Sequence, residues 1–194
     1  MTRNRLLTIA VCFTILAAAF RFLHVLPPGA APIGALALWA GVYCTSPGTA
    51  AVVLGAMLPL DLVDIAHGRY DLATMLAVYA SMFLFVLIGA SATRYAKGSC
   101  GRGRMFAAIA GGTVLGSVAF YLITNAAVWA FAGWYPKTAE GFAACMAAGI
   151  PFFRNALAGN LAGATAFFGI SAAAARTARD PAAYAAHASH RARA

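Results

Sequence analysis

Asp61 and Asp64 stand three residues apart in an otherwise apolar stretch. On a helix that spacing puts both carboxylates on one face, where they could hold a cation. Tyr79 lies two turns into the next apolar run, and Asn125 lies near the end of a later one. Arg154, Asn155 and Asn160 open the last run, and Arg21 and His24 close the first. Charges and amides at the mouth of a membrane helix are costly unless they face a cavity or one another. Such groups can orient a polar ligand while aromatic residues pack its apolar faces. They also admit a structural reading, in which Asp61 pairs with Arg21 or Arg154 and fixes helix packing. Trp129, Trp134 and Tyr135 gather where one apolar run stops. Trp and Tyr favour the membrane–water boundary, so these three serve as interfacial anchors, as ligand walls, or as both.

Enzyme motifs are absent, which makes an enzyme the weaker reading. The chain holds no HExxH, no GxSxG and no Walker loop. Gly98–Gly103 is glycine-rich but lacks the following lysine and the preceding strand of a phosphate loop. Cys12, Cys44, Cys100 and Cys145 form no metal-binding pattern, and no structural disulfide is expected among them. Cys12 reads as mid-helix packing. His24 and His67 read as surface residues. No cofactor and no metal is expected.

These groups need a scaffold, and composition says which. Of 194 residues, 62% are hydrophobic and only 10% charged, with mean hydropathy +0.79. That excludes a soluble domain and defines an all-α, polytopic membrane protein of one domain. The net charge of +9 sits in short connections, so it points to membrane topology and not to nucleic acid.

Six transmembrane helices are expected, over 6–26, 32–43, 49–65, 72–95, 105–131 and 150–175, together filling residues 1–176. A short interfacial helix over 138–148 precedes the last, and 177–194 is a flexible cytoplasmic tail. The basic start resembles a signal peptide, but the apolar run continues to Leu26, which fits a retained first helix. Small residues recur at four-residue steps, as at Gly112 and Gly116 or Gly159 and Gly163. These permit close helix contact within the chain.

With six spans both termini share a side. That side holds ten of the fourteen Lys and Arg. The positive-inside bias makes it the cytoplasm and places the chain in the inner membrane. Four of the five acids and all the polar groups above then fall on the outer half. One-sided polarity fits an outward-facing pocket better than a through-pore.

Two segments carry a resemblance. RFLHVLPPGAAPIGALALWAG (Arg21–Gly41) and LITNAAVWAFAGWYPKTAEGFAACMAAGIPFFRNALAGN (Leu122–Asn160) resemble a family of small uncharacterised bacterial inner-membrane proteins. That family is similar to the substrate-binding S components of energy-coupling-factor (ECF) vitamin transporters. The resemblance implies six helices, cytoplasmic termini and a vitamin or cofactor pocket at the extracellular face. The solitary cobalamin-specific S components are the most similar in function. They carry an Asp, a Cys thirteen residues later and a Tyr five beyond that. Here the positions are Asp61, Thr74 and Tyr79. Thr74 replaces the soft thiolate that ligates cobalt, so the resemblance implies cobalamin binding without cysteine-dependent chemistry. Cys145, on the outer side, is a conceivable substitute. The AxxxA pattern by which S components dock on an ECF coupling module is not evident in Ala10–Ala19, so solitary action is open.

The expected function is therefore a vitamin- or cofactor-binding transporter, with cobalamin the leading substrate and lipid the surrounding partner. Two other readings stay open: a structural or assembly protein that binds a periplasmic partner, and a membrane enzyme.

Overall fold

Eleven residues, Ile33–Tyr43, form a helix with no wet face. Every residue from Gly34 to Gly41 is buried. A helix that is apolar all round belongs in a core, and here it is the core. In a computed structural model the elements run α1 (Arg3–Phe22), α2 (Ile33–Tyr43), α3 (Leu58–Ala66), α4 (Leu72–Lys97), α5 (Arg102–Phe131) and α6 (Ala139–Arg179). The structure describes residues 3–22, 26–43, 55, 58–68, 71–97 and 102–179, and among them all regular structure is helical. Helices α1, α4, α5 and α6 pack around α2, and α5 also packs on α4 and α6.

Glycine lets these helices touch backbone to backbone. A Cβ at Gly41 would run into the Val86 carbonyl oxygen of α4, and one at Gly89 into the Leu38 carbonyl oxygen of α2. Gly112 and Gly116 of α5 meet Ile88 and Phe85 of α4. Gly159 and Gly163 of α6 meet Ala30 and Pro32. The four-residue steps of small residues thus serve packing within the chain, as expected.

Below these contacts lies an aromatic cluster. Trp39 is fully buried and donates its indole N–H to Ser171 Oγ at 2.8 Å. Phe13 meets it edge-on, with centroids 5.4 Å apart, and stacks on Phe167 at 4.4 Å. Buried hydroxyls are satisfied within their own helices: Thr113 donates to the Ile109 carbonyl and Ser171 to that of Phe167. Such back-bonding is how a helix carries Ser and Thr where no water reaches.

The outer surface is the reverse of a soluble protein's. Leu76, Phe83 and Leu87 on α4 and Phe106, Leu115 and Leu122 on α5 are all exposed. Cys12 is exposed too, beside exposed Val11, Ile15 and Leu16. It lies on the outward face of α1, opposite Ala10 and Phe13, and does not pack in the core as the sequence alone implies. Three helices are long and apolar enough to cross a membrane: Leu72–Tyr95, Gly103–Phe131 and Ala139–Arg176. With apolar side chains facing outward on every one, the protein is an all-helical membrane protein.

One element boundary differs from what the sequence implies. The interfacial helix and the last span are one helix of 41 residues with Pro151 inside it. Proline removes one rung of the ladder, and neighbouring helices in a bundle make such a loss tolerable. The helix starts at Ala139 because Thr138 caps it, its Oγ1 accepting the Gly141 N–H at 3.1 Å. At ~1.5 Å per residue α6 runs about 60 Å, twice the ~30 Å hydrocarbon core. The expected start of the third span, at residue 49, lies outside the described residues; the helix is described over Leu58–Ala66. His24, Tyr70 and the tail beyond Arg179 lie outside the described residues.

Candidate functional site

The α1–α2 connection brings a carbonyl-rich loop against α6. Asn155 donates its Nδ2–H to the Pro28 carbonyl at 3.1 Å. Five residues on, Asn160 Oδ1 accepts the Ala35 N–H at 3.0 Å, near the start of α2, whose first amides have no intrahelical acceptor. Asn160 also donates to Ser117 Oγ of α5 at 3.2 Å. The two amides thus tie loop, α2 and α5 to α6. Asn160 is 5% exposed, and it sits at the floor of a cavity.

That cavity has a volume of about 440 Å³. Its walls come from the start of α2, from α3, from the first half of α4, the second half of α5 and the middle of α6. It therefore opens at one end of the bundle. Val78, Met82, Phe120, Phe152 and Phe153 supply apolar surface. Asp61, Thr74, Tyr79, Tyr121 and Asn125 supply the polar groups with Ser117, Thr124 and Asn160. A mostly apolar recess of this size with a few placed polar groups suits a small organic molecule.

Asp61 is 3% exposed and accepts the Tyr79 hydroxyl on Oδ2 at 2.8 Å. Thr74 donates its hydroxyl to Asp71 Oδ2 at 2.6 Å, and its N–H bonds to Asp71 Oδ1 at 2.8 Å. Asp71 is thereby the N-cap of α4. The Thr74 hydroxyl, and after it backbone N–H groups, hold the Asp71 carboxyl below the usual carboxylate range. Asn125 donates to the Tyr121 carbonyl at 2.8 Å, and Tyr121 donates across to the Met146 carbonyl of α6 at 2.6 Å. The Tyr121 and Phe153 rings lie 5.1 Å apart.

Five of the residues singled out in the sequence, Asp61, Thr74, Tyr79, Asn125 and Asn160, thus meet in one cavity. Five others stand apart from its lining. Trp129 donates its indole N–H to the Pro136 carbonyl at 3.0 Å and meets Phe142 edge-on. Lys137 bonds to the Trp129 carbonyl and lies 5.5 Å from the ring centroid. Trp134 is 66% exposed, Tyr135 is half-buried and Arg154 is exposed. Asn155 holds the loop as described. The Arg21 side chain lies outside the described residues. Cys145 is buried, its thiol directed to the Asn125 carbonyl at 3.4 Å, and it does not line the cavity. Among the described residues no three His, Cys, Asp or Glu come close enough to hold a metal.

Ser117, Tyr121 and Thr124 are wall residues that type alone does not single out. Their spacing does: steps of four and three put all three on the face of α5 that carries Asn125.

A helical bundle in a membrane, with a molecule-sized recess at one end, is the class that fold and site define. The chain belongs to the family of unknown function DUF6580, whose pattern matches residues 1–183. No curated protein and no solved structure matches it.

Proposed function

We propose that the protein is a membrane substrate-binding protein of the S-component type, which captures a vitamin- or cofactor-class molecule from the outer side of a bacterial inner membrane for uptake. The observation that carries this reading is the 440 Å³ cavity at one bundle end, with Asp61, Tyr79, Asn125 and Asn160 in a mostly apolar wall. The α2 residues beyond those that line the recess, Leu36, Leu38 and Trp39, are fully buried, which suits capture better than free conduction. Six spans and cytoplasmic termini belong to the same proposal. So does solitary action or use of a coupling module.

The volume favours a ligand of a few hundred daltons. Cobalamin, which the Asp61–Thr74–Tyr79 spacing brings forward, is far larger and would enter with one part only. The test is thermal stabilisation of the detergent-purified protein across a vitamin panel that includes cobalamin. A binder of the native state at a hundred times its Kd adds about 2.7 kcal/mol, a clear rise in Tm. Co-elution of corrin absorbance with the protein on a sizing column would extend the reading to cobalamin. Protein eluting without corrin at micromolar loading would remove cobalamin alone. A flat response to the whole panel would sink vitamin capture.

A further inference from the structure

We infer that Ser117 is a recognition residue of the cavity, and that its hydroxyl donates to an uncharged acceptor on the bound molecule, a carbonyl oxygen or a ring nitrogen. This rests on reading the cavity as a ligand site. Seven Ser and Thr residues are buried among those described. Six of them give their protons to the protein. Thr14, Ser81, Thr113, Thr124 and Ser171 each donate to the carbonyl four residues back, and Thr74 donates to Asp71. Ser117 is the exception. Its Oγ lies 3.2 Å from Asn160 Nδ2, and an amide nitrogen can only donate. The orientation of that amide is fixed from its other end, because Asn160 Oδ1 accepts the Ala35 N–H. Ser117 is therefore the acceptor in this bond, and no described group takes its own proton.

Accepting a bond does not by itself turn a serine from its helix. Ser171 accepts the Trp39 indole N–H and still donates to the Phe167 carbonyl. Ser117 is 1% exposed and lines the cavity, so the recess is where an acceptor for it can sit. A buried donor without an acceptor is costly. A water that takes this proton is displaced without loss only by a group that can accept the bond in turn. An apolar surface laid against Ser117 would leave the proton stranded. An ionised acceptor this deep would need a positive partner as well, which neither Ser117 nor Asn160 supplies. A carbonyl oxygen or a ring nitrogen needs none.

Acetophenone and α-methylstyrene test this, because they share one shape and differ in an oxygen against a CH2 group at the same place. Each is titrated into the detergent-purified full chain, unaltered and with Ser117→Ala, at one detergent concentration. Partition into the micelle weakens a probe alike in both proteins, so the preference for one probe over the other can be compared between them. The unaltered protein is expected to favour acetophenone on the order of fivefold more than Ser117→Ala does. The infrared carbonyl stretch of bound acetophenone should also fall below its value in protein-free micelles, a readout that needs no variant if Ser117→Ala does not fold. An equal preference in the two proteins, or a carbonyl stretch at the micelle value, overturns recognition by Ser117 and leaves the cavity a ligand site. No binding of either probe at millimolar concentration overturns it together with the ligand site itself.

Discussion

Asn160 shows how one side chain can hold several elements. Its two ends reach the Ala35 amide and the Ser117 hydroxyl, 3.0 and 3.2 Å away. Asn160→Ala leaves both without that partner in a place water reaches only through the cavity. A buried group so orphaned costs about 1–3 kcal/mol, so the variant should unfold at lower temperature by circular dichroism. Leucine at that position is expected to be no better, since its bulk meets the close approach at Gly34. Asp71 makes a second case, at the surface. Its carboxylate caps α4 and is held below the ordinary value of 3.8 by the Thr74 hydroxyl. A folded-state pKa below the unfolded one means the ionised form stabilises the fold. The contribution is full above the unfolded value and fades as pH falls through the lowered one. Asp71→Ala should therefore cost about 1 kcal/mol at pH 7. The gap to the unaltered protein should narrow below about pH 4, and melting curves at both pH values check it.

At the scale of elements, α2 depends on glycine more than on its own apolar content. Gly41 and Gly89 let α2 and α4 meet through their backbones. Gly41→Ala places a methyl against the Val86 carbonyl and should cost about 1–3 kcal/mol as the helices separate, seen as a lower Tm and weaker protection of the α2 amides from exchange. Gly111, around which a Cβ meets nothing, is the control: Gly111→Ala should be neutral or mildly stabilising. Much of this layer was legible in the sequence. Apolar runs bounded by Pro, Gly and charge located most of the helix ends, and the small-residue steps marked the close contacts. The cavity was legible in part. Asp61, Tyr79 and Asn125 stand out because a polar group in an apolar run must face something. Arg154 stands out for the same reason yet lies outside the lining, while Phe153 beside it lies within. One residue turns a helix by about 100°, so the choice between the two depends on how α6 rolls against α2 and α5. That roll is set by Gly159 on Ala30 and Gly163 on Pro32, contacts between segments well over a hundred residues apart. Trp129 follows Asn125 by one turn but passes the cavity mouth, and its indole bonds to the loop at Pro136.

For the whole molecule the question is how helices of unequal length share one bilayer. Helix α2 is about 16 Å long and α6 about 60 Å, at ~1.5 Å per residue, against a hydrocarbon core of ~30 Å. Helix α2, over its described residues, is shorter than the core, and it needs little contact with lipid because four helices wrap it. Helix α6 is longer than the core, and on the proposed orientation its first turns, from Ala139 to Pro151, leave it. They follow exposed Phe131 and Trp134 and carry exposed Phe142, the belt of aromatics that marks a membrane boundary. On the proposed orientation the cavity end of the bundle lies at the outer boundary, and Arg94, Arg102 and Arg104, at the end of α4 and the start of α5, lie on the cytoplasmic side. Single-cysteine reporters in a background free of Cys12, Cys44, Cys100 and Cys145 test this orientation. Lys137→Cys should react with a membrane-impermeant maleimide on intact cells stripped of their outer membrane. Arg104→Cys should react only after the inner membrane is opened. The reverse pattern would turn the cavity toward the cytoplasm, and uptake from the outer side would then have to be given up in favour of export or of intracellular sensing.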